Sequence, residues 1–477
     1  MSIDSGLGEV LAALRAEGRK AKERAVTARQ YETSDLGNAR RLVDEHGEDL
    51  RYVPEWGKWL AWNENRWMVD VTGEAHRRAK DVAERILDEA RAAADDKLFR
   101  HGLKAQSAAG LNAMLAVAST EPGIPVLVDE LDADPWLLTV ANGTIELRTG
   151  TLRPARREDL ITKASPVPFD PGAKCPTWHR FLEEVLPDPE VRGFLQRCVG
   201  YALTGDVREQ ILLIWYGLGA NGKSTLKETL LATLGDHAAP AAPRLLLAQQ
   251  HEEHPTAIAD LRGRRLVVSH EVEDGLRLDE ALVKELTGGD RLKARYMRQD
   301  FFSFAPSHKL LLACNHKPRV RGADNGIWRR LRLVKFDVTI PPERQDRDLP
   351  ARLRAELPGI LSWAVAGCIE WQERGLQTPP AVLEATAEYR QESDLLAQFV
   401  AERCLTGEGL QVRSTVLYAA YQGWCRENGL DHPLSQKALS RQLDERGFDR
   451  TENRAGQAIW LGLAVEAASN GSAGEML

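Results

Sequence analysis

Gly217, Gly222, Lys223 and Ser224 stand in the order G-x-x-x-x-G-K-[ST], within the stretch ILLIWYGLGANGKSTLKETLLATLG that runs from 211 to 235. Glycines let a backbone curl until several N–H groups face one anion, and a following helix adds partial positive charge at its N-terminus. Residues 217–225, including Gly219, Ala220, Asn221 and Thr225, are therefore expected to wrap the phosphates of a nucleotide. Lys223 would pair with β- and γ-phosphate oxygens, and Ser224 would ligate Mg²⁺. The context fits: an apolar run precedes the loop and an amphipathic segment closed by Gly235 follows it.

Further groups with chemical capacity follow downstream. GRRLVVSHEVEDG reads as a buried strand ending in acids, which puts Glu271 and Glu273 where one carboxylate could hold a metal and the other orient water. Glu271 is assigned to Mg²⁺ and Glu273 to the water. HKLLLACN reads as a third buried strand, ending in Asn315, a neutral amide able to sense a phosphate. NGIWRRLRLVKF sets Arg329 and Arg330 before a fourth strand, where either guanidinium could serve a phosphoryl-transfer site, including that of a neighbouring subunit.

The chain has 477 residues and a formal net charge of -7, so a grip on nucleic acid would need a local basic region. Residues 291–332 hold eleven Lys and Arg against two Asp. Within them LKARYMRQDFFSF reads as a hairpin. Its Lys293, Arg295 and Arg298 could meet phosphates, and Tyr296 could stack on a base.

These groups need elements to position them. Apolar runs at 211–216, 265–269, 309–314 and 331–336 alternate with helical patterns, which argues for an α/β fold with a parallel sheet spanning 207–340. Residues 1–32 read as a charged helix. Residues 33–206 read as an α+β region, with a tryptophan-rich hairpin at 51–67, a helical stretch at 75–120, turns at Asn142-Gly143 and Thr149-Gly150, and helices broken at Pro187. The four tryptophans of that hairpin are assigned to a core, and Asp132 and Asp134 to a turn. Residues 341–393 read as a helical segment with a linker at Pro379-Pro380, and 466–477 as a frayed tail.

The segment 394–465 reads as a winged-helix domain. One helix ends at Gly429, a second is N-capped by Ser435, and a β-wing follows. Lys437 and Arg441 lie on the face that could meet a major groove. Six cysteines without a CxxC pair, no secretion signal and no long apolar run argue for a soluble, reduced cytoplasmic setting without a membrane.

The order of parts closely resembles superfamily 3 helicases, in the branch of phage and plasmid primase-helicases that includes satellite-phage and poxvirus replication proteins. The residues that carry it are the phosphate loop, E-x-E at 271–273, LTGGD at 286–290 with the basic hairpin, ACN at 313–315, and WRRLRL at 328–333. The likeness extends upstream through VANGTIELRTGTLRPARREDLITK and YVPEWGKWLAW, covering about residues 33–400. It implies an AAA+-type P-loop ATPase core, a hexameric homo-oligomer, and ATP- and Mg²⁺-dependent 3′ to 5′ translocation on single-stranded DNA. It also implies replication-origin DNA as a partner, a bacterial host cell, and a separate primase or polymerase, since only some 30 residues precede the lead-in. The competing expectation is a DNA-binding initiator or regulator that uses ATP binding as an assembly switch.

Overall fold

The computed structural model describes residues 31–242, 244–248, 256–269, 276–298, 300–320, 325–428, 433–452 and 456–466. The expected helix at 6–31 and the tail beyond 466 lie almost wholly outside the described residues, as do Glu271, Glu273 and Gly429.

The upstream region holds two small antiparallel sheets. Leu50–Val53, Lys58–Trp62 and Trp67–Val69 form the first, one strand more than the expected hairpin. The turn between its last two strands is made by Asn63, whose side-chain oxygen accepts from the Asn65 and Arg66 N–H groups. Trp67 is fully buried and donates from Nε1 to the Arg157 carbonyl, whereas Trp56 stays exposed. Helices Asp35–His46, Glu74–Ala93, Asp96–Ala105 and Ala108–Ala118 enclose their own core of Leu42, Val82, Ile86 and Met114. Leu137–Val140, Gly143–Glu146 and Thr151–Arg153 form the second sheet, with its turns at the Asn-Gly and Thr-Gly pairs.

Two helices, Pro176–Val185 and Pro189–Leu203, lead from there into the central sheet. Each starts with proline at its first turn, where the missing N–H is no loss. The sheet has five parallel strands in the order Leu331–Lys335, Leu212–Tyr216, Lys309–Cys314, Leu266–Ser269, Ala238–Pro240. The first four are the apolar runs of the sequence. Such runs arise because a parallel sheet is covered on both faces. Leu213 and Trp215 pack with helices Pro189–Leu203 and Leu357–Arg374, while Leu212 and Ile214 pack on the opposite side with Leu312, Leu333 and Tyr389.

The expected linker at Pro379-Pro380 is corrected by the structure. Pro380 opens a helix, Pro380–Ser393, which buries Val382, Ala385 and Tyr389. The Thr386 hydroxyl accepts the Leu333 N–H (3.0 Å), so this helix lies against the last strand of the sheet. A Pro-Pro pair is as compatible with a helix start as with a tether.

The C-terminal unit contains helix Leu395–Arg403, strand Cys404–Arg413, helices Ser414–Glu427 and Gln436–Glu445, and strands Arg450–Glu452 and Ala458–Val465. The strands form one antiparallel sheet with Ala458–Val465 in the middle. Phe399, Leu417, Tyr421, Trp424, Leu443 and Trp460 form its core. The Ser435 hydroxyl accepts the Ala438 N–H, as expected of an N-cap.

The upstream region meets the central sheet through a buried polar seam. Arg66 pairs with Asp236, Lys163 with Asp132, and the Ser165 hydroxyl donates to the Thr233 carbonyl (2.6 Å). Asp132 does belong to a turn, and it also accepts from Thr162 N (2.7 Å). Its carboxyl is held below the usual range by the Lys163 ammonium and the Thr162 bonds, against the opposing effect of burial. His237, at the same seam, is pushed well below the ordinary imidazole value by burial and by the Arg265 guanidinium. His308 is pushed down to about 4, chiefly by burial.

Both imidazoles therefore hold fewer protons folded than unfolded. The stability that depends on their neutrality is fully present above about pH 6.5 and is lost as the pH falls below it, for His308 down to about 4. Each buried group is expected to contribute a loss of about 1.4 kcal/mol per pH unit in that window. Urea unfolding at pH 7, 6 and 5 checks this: His308→Gln, which cannot titrate there, should show a shallower decline. Equal slopes would refute the assignment.

Candidate nucleotide site and basic hairpin

The loop after Leu212–Tyr216 leads directly into helix Lys223–Leu234. Gly222 has φ 81°, a left-handed conformation, and a Cβ there would lie 2.6 Å from Val185 Cγ1. Glycine is therefore required both by the backbone and by the close approach of helix Pro176–Val185. The loop is also pinned from the far side of the sheet. Ile340 N donates to the Ala220 carbonyl (2.7 Å), and Asn221 Nδ2 donates to the Phe336 carbonyl (3.2 Å).

Lys223 is only 6% exposed, yet its ammonium lies at a junction. Nζ donates to the Gly217 carbonyl (2.6 Å), to Asn221 Oδ1 (3.1 Å) and to Asn315 Oδ1 (3.2 Å). Asn315 comes from the end of the neighbouring strand Lys309–Cys314, whose Cys314 is level with Tyr216. Parallel pairing in register thus joins two groups 92 residues apart. Leu266–Ser269, which leads towards Glu271 and Glu273, is the next strand on that side and points the same way.

A cavity of about 700 Å³ opens over this junction. It is lined by Gly219 to Thr225 and by Asn315, though not by Gly217, and Ser224 is exposed in it. That volume lies within the range of small-molecule sites. Four arginines not anticipated from the sequence also line it: Arg180, Arg344, Arg347 and Arg352. Arg344 pairs with Glu184 (2.8 Å) and Arg352 with Asp346. For the last three the signal was an arginine-rich run at 344–354, but only the fold brings that run back over the loop.

The two candidate finger arginines separate cleanly. Arg330 is 8% exposed, donating from Nε to Thr287 Oγ1 (3.0 Å) and from Nη1 to the Gly326 carbonyl (2.7 Å). That geometry ties Arg330 into its own chain as a structural brace. Arg329 is exposed, at the end of the short helix Asn325–Trp328, and does not line the cavity of its own chain.

The basic segment forms the expected hairpin, Leu292–Ala294 paired with Phe302–Phe304. It is not one basic surface, however. Lys309 is buried against the carbonyls of Thr204, Asp206 and Ser307, Lys317 pairs with Glu392, and Arg291 pairs with Asp129 (2.9 Å). Lys293 and Arg298 are exposed, and Arg295 is half-buried. Tyr296 departs from expectation. It is 36% exposed, but its ring stacks on Phe302 (centroids 5.5 Å apart) and its hydroxyl donates to the Ala259 carbonyl (3.3 Å), so part of it is engaged by the protein. In the C-terminal unit Lys437 and Arg441 are exposed one turn apart on helix Gln436–Glu445, with Arg441 beside Glu445 (3.7 Å).

The fold is thus mixed α/β, built on a five-stranded parallel sheet with a polar cleft at one end of its central strands. Comparison with known proteins adds matches over parts of the chain. Residues 39–187 match the D5 N terminal like family, residues 215–330 a family of unknown function, and residues 391–457 the poxvirus D5 protein-like family. The two D5-type matches lie before and after the sheet in sequence and are consistent with the superfamily 3 primase-helicase family that the motif order resembles. It is 26% identical over 349 residues to the "Putative helicase L207/L206" of Acanthamoeba polyphaga mimivirus, covering 68% of this chain and 36% of that protein. It is 25% identical over 333 residues to the "Putative primase C962R" of African swine fever virus, covering 63% and 34%. The chain therefore spans about a third of the length of these relatives. It also matches the apo structure of the NrS-1 C terminal region at 11% identity and TM-score 0.49, covering 86% of this chain and 94% of that one. Among the described residues, no helix is long and apolar enough to cross a membrane.

Proposed function

We propose that the chain is an ATP-dependent DNA helicase that serves the replication of a mobile genetic element. The observation that carries the reading is the Lys223 ammonium, held between the Gly217 carbonyl and Asn315 at the ends of two adjacent parallel strands. A phosphate entering the cavity would meet that cation, the loop N–H groups and the Asn315 amide together, and would take over hydrogen bonds that Lys223 now makes within the protein.

The exposed Ser224 hydroxyl lines the same cavity and suits a hard divalent cation, so Ser224, with Glu271, would hold Mg²⁺. When bound, Mg²⁺ neutralises charge on the β- and γ-phosphates. In this reading Lys223 holds the phosphate oxygens, Asn315 orients the terminal phosphate, and Glu273 orients the attacking water. Arg347 and Arg180 add positive charge from the cavity rim. Arg329 is supplied to the site of the next subunit in a six-fold ring. Residues 33–206 form the lead-in domain, 207–340 the AAA+-type ATPase core, and 394–465 a winged-helix domain. Movement is 3′ to 5′ on single-stranded DNA, with primer synthesis supplied by a separate primase or polymerase.

Strand displacement with Mg-ATP tests the reading. A duplex with a 3′ single-stranded tail should be unwound and a 5′-tailed one should not. ATP hydrolysis without displacement of either, at concentrations where the protein assembles, would overturn it. A second reading, a DNA-binding initiator that uses ATP as an assembly switch, draws on the separate core of the C-terminal unit and its exposed Lys437 and Arg441. Site-specific duplex binding that survives loss of unwinding would favour it.

A further inference from the structure

Four aromatic side chains lie in or beside the basic hairpin, and three of them pack on one another, although Tyr296 keeps 36% exposure. Tyr296 stacks on Phe302, Phe302 lies 6.0 Å from Phe304, and Phe304 is 3% exposed in the core. Phe301 differs. It is 51% exposed, and it lies just beyond the last rung of the hairpin, where Ala294 pairs with Phe302.

Two cations accompany its ring. Lys293 Nζ is 4.9 Å from the ring centroid and Arg295 Cζ is 4.7 Å. Among the described residues, no carboxylate forms an ion pair with Lys293, Arg295 or Arg298, although Arg291 at the hairpin's root has Asp129. Folding explains neither the exposed ring nor the uncompensated charge. Burial of a phenyl ring is favourable, and this one forgoes much of that gain.

A ligand with alternating flat rings and negative charges uses both features. Bases stack on an aromatic face, phosphates meet the flanking cations, and every base has a π-face, so the contact tolerates any sequence. We propose that Phe301 is the base-stacking residue of this hairpin, with Lys293 and Arg295 holding the neighbouring phosphates of single-stranded DNA. The assignment deepens the helicase reading and rests on it for the ligand. It transfers to Phe301 the stacking role that the sequence suggested for Tyr296.

The test uses the full chain and a mixed-sequence oligodeoxynucleotide. Phe301→Ala should weaken binding about 5- to 150-fold, the loss of one stacked base, and Phe301→Trp should restore it. The dependence of affinity on salt should be unchanged in Phe301→Ala. In Lys293→Gln and Arg295→Gln the logarithmic slope should fall by about 0.7 each. Thermal melting of Phe301→Ala should match the unaltered chain, since the ring is exposed. Photocrosslinking to an oligonucleotide bearing 5-iodouracil should put the adduct on Phe301. Unchanged affinity in Phe301→Ala, or an adduct on Tyr296 instead, would overturn the assignment while leaving the helicase reading intact. So would a Phe301-dependent protein partner with DNA binding unaffected. Failure of the unaltered chain to bind any single strand would remove both.

Discussion

Lys223→Ala is expected to lower ATP hydrolysis by roughly 10²–10³-fold or more, the usual loss when one preorganised electrostatic partner leaves a reacting centre. The geometry explains why the loss should be large. Nζ is the only atom of its side chain able to donate, and three oxygens from two strands and a loop converge on it. Alanine leaves Asn315 without that donor, so one substitution disables two groups of the site. Lys223→Arg should not rescue. The slot is 6% exposed, and a planar guanidinium cannot replace a compact ammonium there. Phosphate release under steady state, with nucleotide binding measured separately, checks the prediction. Hydrolysis within threefold of the unaltered chain would exclude the proposed site.

The second large effect separates two adjacent arginines. Arg329→Ala is expected to lower hydrolysis by assembled protein by about 10³–10⁵-fold, the range for an arginine finger, with the melting temperature unchanged. Arg330→Ala should instead cost about 1–3 kcal/mol of stability, because Thr287 and the Gly326 carbonyl lose a buried partner. The stronger check is a mixture. Lys223→Ala subunits still carry Arg329, and Arg329→Ala subunits still carry Lys223. Mixed assemblies should therefore recover activity that neither variant shows alone. No recovery, with mixing demonstrated, would mean that Arg329 does not act across subunits.

The sheet was legible in the sequence because its strands are buried on both faces and read as unbroken apolar runs. Lys223 and Ser224 were legible because a phosphate loop is local, and Asn315 because it ends such a run. Other features depended on distant contacts. Ala238–Pro240 is too short for a periodic signal, and only its pairing with Leu266–Ser269 makes it a strand. Pro379-Pro380 has the composition of a linker, and its helical state follows from the packing of Tyr389 and Val382. A linear count of charge could not tell the buried Lys309 and Arg330 from the exposed Lys293 and Arg298. Tyr296 and Phe301 are both aromatic residues in a basic hairpin. Which one is the more exposed depends on the contacts of Tyr296 with Ala259 and Phe302, and no pattern within the hairpin reveals it.

The two outermost strands of the parallel sheet end differently, and together they guard against aggregation. An open sheet margin offers unpaired backbone groups to any other chain. On one margin, Ala238–Pro240 is three residues long and ends in proline, which has no N–H to offer a neighbour. On the other, Thr386 occupies the Leu333 N–H, and the helix that carries it lies along the strand. Helix Pro380–Ser393 is thus a built-in stopper against sheet-to-sheet association. A chain severed ahead of it would keep its nucleotide cleft and lose the barrier that keeps neighbouring copies from joining their sheets.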